Sequence, residues 1–272
     1  MKDLIFVKLG GSVITDKNRP ETARPEVIER LAGEVARALR KKPEIRLVLG
    51  HGSGSFGHAV AQRYGTRQGV RDLDGWRGFA EVAAAAARLN RMVTDTFLAA
   101  GVPVWSLQPS ASAWCRDSQL MLLATTPVEQ AVIRKLVPLV YGDVALDDRL
   151  GGTIISTEQI FAYLAKRLYP ERLILVSAVD GVFDRDPRRD PTARRVPRIS
   201  PANWKEVQAM LGGSHAPDVT GGMLSKVEEM IRLIHDLPNL TVHIISGERE
   251  GALEVALQQP ADITMGGTLI GW

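Results

Sequence analysis

One cysteine, Cys115, stands in a chain of 272 residues. That excludes an internal disulfide and a cysteine-based metal cluster, and a small core residue is its expected role. No apolar run approaches membrane-spanning length. Lys2 and Asp3 are followed by only four apolar residues, too few for a secretory signal, so a cytoplasmic protein with no membrane partner is expected. Charge of one sign is scarce as well. The formal surplus is +3, and the basic residues are dispersed except between Arg185 and Arg198. This argues against a nucleic-acid partner and is compatible with small anionic substrates. No linker rich in Gly, Ser or Pro, no internal repeat and no low-complexity segment interrupts the chain. With 45% hydrophobic and 24% charged residues the composition is ordinary, and a single domain over 1–272 is expected.

What the chain does contain is a series of short apolar runs: Leu4–Val7, Ile45–Leu49, Val102–Leu107, Leu136–Tyr141, Leu173–Val176 and Val242–Ile245. Continuous runs of this kind read as strands covered on both faces, as in a parallel sheet. Helical stretches alternate with them. Glu26–Arg40 carries Val27, Leu31, Val35 and Leu39 at four-residue spacing. Phe79–Ala100, Thr157–Leu168, Pro201–Leu211 and Met223–Leu237 are the others. The alternation predicts an α/β fold, with ligands at the carboxyl ends of the strands.

Four strand-to-loop junctions look built for a ligand. Gly50-His51-Gly52-Ser53-Gly54-Ser55-Phe56-Gly57-His58 has four glycines within eight residues, which lets backbone N–H groups approach a phosphate that any Cβ would block. Gly52–Gly57 also satisfies the dinucleotide pattern G-x-G-x-x-G. Near Asp72 and Asp74, however, there is no apolar run to serve as the second strand which that reading needs. Lys8-Leu9-Gly10-Gly11-Ser12 leaves the first strand with a lysine beside a tight turn, and Lys17 follows nine residues later. Ser177-Ala178-Val179-Asp180-Gly181-Val182-Phe183-Asp184 follows the strand Leu173–Val176. Asp218-Val219-Thr220-Gly221-Gly222 opens the last long helix, with Lys226 one turn inside it. Each could be a structural turn by itself. Together, four Gly-rich junctions and three lysines suit phosphoryl transfer, which asks for positioning and cations more than covalent chemistry. Neither a Walker pattern nor a protein-kinase catalytic loop is present.

These segments, with Tyr141-Gly142-Asp143-Val144, Asp186-Pro187 and Gly267-Thr268, resemble the amino acid kinase superfamily and, within it, closely its isopentenyl phosphate kinase branch. They run in family order over the whole chain. The resemblance implies a three-layer αβα sandwich around a mainly parallel sheet, with an acceptor-binding N-terminal part and a nucleotide-binding C-terminal part. It also implies ATP- and Mg²⁺-dependent conversion of isopentenyl phosphate to isopentenyl diphosphate by a homodimer. By motif, Lys8, Gly10, Gly11, Ser12, Gly54, Ala178, Asp180, Phe183, Gly222 and Lys226 would hold the nucleotide. Ser53, His58, Ala84 and Thr157 would meet the acceptor. Lys8, Lys17, His58 and Lys226 would carry the transfer, and no residue is expected to be a dedicated metal ligand. Asp143 would be structural, as would His51.

The chain departs from the family at Ser53, where glycine is usual. It also departs at Ser156-Thr157-Glu158, where Ser-Gly-Asp is usual, and at Ala178, where aspartate is usual. Two other readings stay open: a kinase for another small phosphate or phosphonate such as fosfomycin, and a non-catalytic nucleotide-binding protein on the same fold.

Overall fold

The structure is a computed structural model, and it describes residues 3–212, 222–259 and 266–272. The six apolar runs become six adjacent strands. These are β1 (Leu4–Leu9), β2 (Arg46–His51), β3 (Val104–Ser106), β6 (Val137–Tyr141), β9 (Arg172–Ser177) and β13 (Thr241–Ser246). In space they run β13-β9-β1-β2-β6-β3, all parallel. Two short strands not anticipated from sequence, β14 (Thr268–Ile270) and β12 (Arg198–Ile199), extend the β13 edge to eight strands. Only the β13–β14 pair is antiparallel.

Alternation along each strand sends neighbouring side chains to opposite layers. Ile5, Val7 and Leu9 of β1 join a core with helices α2 (Pro25–Lys41), α4 (Leu73–Ala99) and α9 (Ala252–Gln258). Leu4 and Phe6 join a second core with α5 (Thr126–Ile133), α6 (Thr157–Leu168), α7 (Trp204–Gly212) and α8 (Gly222–Asp236). This is the three-layer sandwich expected. Cys115 is buried in the second core, as a core role requires.

The remaining elements dress the carboxyl ends of the strands. The turn helix α1 (Gly11–Ile14) follows β1, and α3 (Gly54–Tyr64) follows β2. A four-stranded sheet of β4 (Trp114–Arg116), β5 (Gln119–Leu122), β7 (Asp143–Asp147) and β8 (Gly151–Ile155) lies beside α4 and α6, and a hairpin of β10 (Val182–Phe183) and β11 (Arg195–Val196) follows β9. Among the described residues no helix is long and apolar enough to cross a membrane.

Candidate active site

The first two junctions meet directly. The Gly10 amide donates to the Val176 carbonyl at 2.9 Å, which ties the β1 turn to the end of β9. A Cβ on Gly11 would fall on the Gly54 amide nitrogen and lie 2.7 Å from the Gly54 Cα. Gly54 has φ +50, where glycine is favoured, and a Cβ there would lie 2.7 Å from the Gly11 carbonyl oxygen. The Ser55 amide donates to Thr15 Oγ1 at 3.0 Å, and that hydroxyl donates to the Gly11 carbonyl at 2.7 Å. The result is a cradle of backbone at the carboxyl ends of three adjacent strands, its two halves tied by the Thr15 hydroxyl.

Lys8 corrects one expectation. It does not leave the strand but lies inside it, opposite Gly50 and Leu175 in the ladder. The parity that sends Leu4 and Phe6 toward α6 and α8 sends Lys8 the same way, and its buried ammonium donates to Glu158 Oε1. Burial alone would push the Glu158 carboxyl up. The Lys8 ammonium, and after it that of Lys226, outweigh burial and hold it below the ordinary carboxylate range. Lys8 of β1 thus bonds the Glu158 carboxylate, and Lys226, half-buried on α8, adds its charge.

Glu158 had no role in the sequence reading. Its signal was its place: it stands where the resemblance has an aspartate, just inside a helix whose cap, Ser156, forms a reciprocal capping box with Gln159. A second carboxyl, Glu229, lies one turn beyond Lys226. Burial and the nearby Glu158 charge push it up to about 7.

Most residues expected on the acceptor side lie around α3 and α4. Ser53 is the N-cap of α3, His58 is exposed on that helix, and Lys17 is exposed on the loop after α1. The Glu21 amide of that loop donates to the Ser55 carbonyl at 3.3 Å, and the Glu21 carboxylate takes Arg88 of α4 at 2.7 Å. Ala84, one turn before Arg88, is exposed on the same helix.

Thr157 is buried at the start of α6, and its hydroxyl donates to the His51 carbonyl at 2.6 Å. Only its backbone remains for an acceptor. His51 is fully buried, its ring stacked on Tyr141 with centroids 5.5 Å apart, and burial lowers its imidazole to about 4. Asp143 is buried too and accepts the Ser110 amide at 3.1 Å. Both have the structural surroundings expected of them.

On the nucleotide side, Ala178 is partly buried against the α2 layer, and Phe183 pairs with Arg195 in the β10–β11 hairpin. Asp180 accepts the Ser246 amide at 3.1 Å, with Arg249 at 3.4 Å, so its carboxylate joins the ends of β9 and β13. Gly222 is the first residue of α8. Asp218, Val219, Thr220 and Gly221 lie outside the described residues. Among the described residues, no group of three or more His, Cys, Asp or Glu is placed to hold a metal ion.

Comparison with known proteins gives a consistent result. A family model described as the amino acid kinase family matches residues 3–246. The isopentenyl phosphate kinase of Methanocaldococcus jannaschii is 35% identical over 236 residues, covering 84% of this chain and 86% of the relative. That of Methanothermobacter thermautotrophicus is 36% identical over 261 residues, covering 93% and 95%. A solved isopentenyl phosphate kinase structure superposes with a TM-score of 0.82 at 33% identity, covering 98% of this chain and 100% of the other.

Proposed function

The chain belongs to the amino acid kinase family, and from that premise we propose that it phosphorylates isopentenyl phosphate with ATP, giving isopentenyl diphosphate and ADP. The observation that carries this reading is the buried Lys8–Glu158 pair, with Lys8 two residues before the backbone cradle of Gly10, Gly11 and Gly54.

The chemistry fits these residues. A phosphate monoester has its second pKa near 6, so the acceptor is largely dianionic at neutral pH and needs no general base. An acceptor oxygen attacks the γ-phosphorus in line, and the bond to the bridging oxygen of ADP breaks. Charge gathers on the equatorial oxygens, where positioned cations lower the barrier. Lys8 and Lys226 supply these cations, and Glu158 keeps the Lys8 ammonium in place. Lys17 and His58 extend the positive surface toward the acceptor, with Ser53 and Ala84 beside them. Gly10, Gly11, Ser12, Gly54 and Gly222 take the nucleotide phosphates, while Ala178, Asp180 and Phe183 border its base and sugar. Mg²⁺ would be carried by the nucleotide phosphates and would offset part of their charge.

The N-terminal part of one domain is read as the acceptor side and the C-terminal part as the nucleotide side, in a cytoplasmic homodimer. The edge strand β3 supports the dimer, because it leaves Trp105 44% exposed, with Met92 and Leu98 exposed on α4. Sedimentation at micromolar concentration tests it.

The test of function is ADP release with ATP and Mg²⁺ against isopentenyl phosphate, dimethylallyl phosphate, fosfomycin and acidic amino acids. Turnover with isopentenyl phosphate and none with amino acids is expected. Turnover confined to fosfomycin, or nucleotide binding without turnover on any acceptor, overturns the reading.

A further inference from the structure

The one concentration of basic residues in the chain, six arginines and two aspartates between Arg185 and Arg198, enters the site described so far only through Arg195. It forms the connecting loop and second strand of the β10–β11 hairpin and the segment after it. Its tip reaches back to the start of the chain: Arg188 lines a cavity of about 540 Å³ together with Ser12, Asp16, Lys17, Arg24 and Glu26. Ser12 belongs to the turn that follows Gly10 and Gly11, so the cavity adjoins the phosphate cradle.

The charges in this cavity divide into two groups. Arg24 is committed: its two terminal nitrogens hold both oxygens of Glu248, at 2.6 and 3.1 Å, and one also bonds the Val13 carbonyl. Glu26 lies 3.6 Å from the same guanidinium. Asp16 accepts the Asn18 amide at 2.9 Å. Lys17 and Arg188 remain, from loops far apart in sequence. Asp186 accepts both the Arg188 amide, at 3.0 Å, and its Nε, at 3.2 Å. This fixes the root of the side chain and turns the guanidinium as a unit, and the bonds it makes among the described residues go through Nε. The two terminal nitrogens form a fork suited to two phosphate oxygens.

We propose that Arg188 is a binding residue for the donor's polyphosphate, presented by the β10–β11 hairpin across the cavity from Lys17. The ligand class is a nucleoside di- or triphosphate, and this rests on the kinase reading above. A guanidinium stays charged at every physiological pH and bridges non-bridging oxygens without titrating. Asp186 is then a positioning residue for Arg188.

The experiment is calorimetric titration of the full chain with ATP and with adenosine, alongside the KM values for ATP and isopentenyl phosphate. Arg188→Ala should weaken ATP about tenfold or more, the usual loss for one hydrogen bond to a charged group. It should leave adenosine binding and the KM for isopentenyl phosphate as in wild type. Arg188→Lys should recover part of the loss. Arg189→Ala, a neighbour that does not line the cavity, should bind ATP like wild type. Unchanged ATP affinity in Arg188→Ala overturns the proposal, and so does an equal loss of adenosine, which would mean that the hairpin itself had moved. Wild-type turnover with isopentenyl phosphate reports separately on the acceptor, so that reading can fail while the Arg188 result stands.

Discussion

Gly11 and Gly54 touch backbone to backbone, with no room for a methyl group on either. A Cβ on Gly11 would lie 2.7 Å from the Gly54 Cα, and one on Gly54 would lie 2.7 Å from the Gly11 carbonyl oxygen. The loops after β1 and β2 therefore form one surface, and the shape of the phosphate cradle depends on their contact.

Gly54→Val should lose both stability and nucleotide binding. A non-glycine residue at φ +50 costs about 1–2 kcal/mol of backbone strain, and the new side chain would also collide with Thr15. Differential scanning calorimetry should give a lower Tm, and ATP titration should give no measurable heat. A variant that keeps wild-type Tm and ATP affinity would make the contact incidental.

Lys8 and Glu158 form a buried pair, and the variant that breaks it should differ from the one that removes it. Lys8→Ala leaves a buried carboxylate without its nearest partner, a loss of about 3–5 kcal/mol. Turnover should fall by about 10²–10³, as when a donor to developing charge is removed. Adding Glu158→Gln to Lys8→Ala should restore much of the stability and none of the turnover. Recovery of activity in the double variant would show that Lys8 acts only through the fold.

How much of this was legible beforehand follows from burial. β1, β2, β6, β9 and β13 read plainly because both faces of the sheet are covered, so each strand is a continuous apolar run. Trp114–Arg116 and Gln119–Leu122 could not be read that way: they are short, mix charged with apolar residues, and leave Trp114, Met121 and Leu122 exposed. The glycine loops were legible because close approach restricts the residue type. Glu158 was not, because a lone carboxylate in the first turn of a helix is ordinary surface chemistry. Its partner, Lys8, is brought to it by the fold from far away in the chain.

His51 should make stability depend on pH. Its folded pKa is lowered from 6.5 to about 4 by burial. Below pH 6.5 the unfolded chain takes up a proton that the folded chain refuses until near pH 4. Stability present above pH 6.5 is therefore lost as pH falls from about 6.5 to about 4, by on the order of 3 kcal/mol at 1.36 kcal/mol per unit. Urea unfolding across that range should give a flatter profile for His51→Gln than for wild type. Equal slopes would remove His51 as the source.

His58 should read the acceptor and not the donor. It is exposed on α3, beside the Ser53 cap of the same helix. His58→Ala should raise the KM for isopentenyl phosphate by about tenfold, the value of one charge-assisted bond, and leave the KM for ATP near wild type. His58→Gln, which keeps a donor, should recover part of the loss. The opposite split between the two substrates would reverse their assigned positions.

Gly50 and Thr157 share one space, and this explains why the chain tolerates threonine where the resemblance has glycine. A Cβ on Gly50 would lie 2.6 Å from Thr157 Cγ2 and 2.8 Å from the Phe161 ring. Gly50→Ala should therefore destabilise by about 1–3 kcal/mol through overpacking. Thr157→Gly should destabilise as well, because it opens a void and removes the bond to the His51 carbonyl. The double variant should be more stable than the sum of the two, with a coupling of about 1 kcal/mol. Relief is partial because Phe161 stays in the way. Thr157→Gly should also leave the acceptor KM within about a factor of three, since the hydroxyl is spent on the His51 carbonyl; that factor is below 1 kcal/mol. Strictly additive stabilities would mean that the two residues do not compete for the space. A large rise in acceptor KM would mean that the Thr157 hydroxyl leaves His51 to bind the substrate.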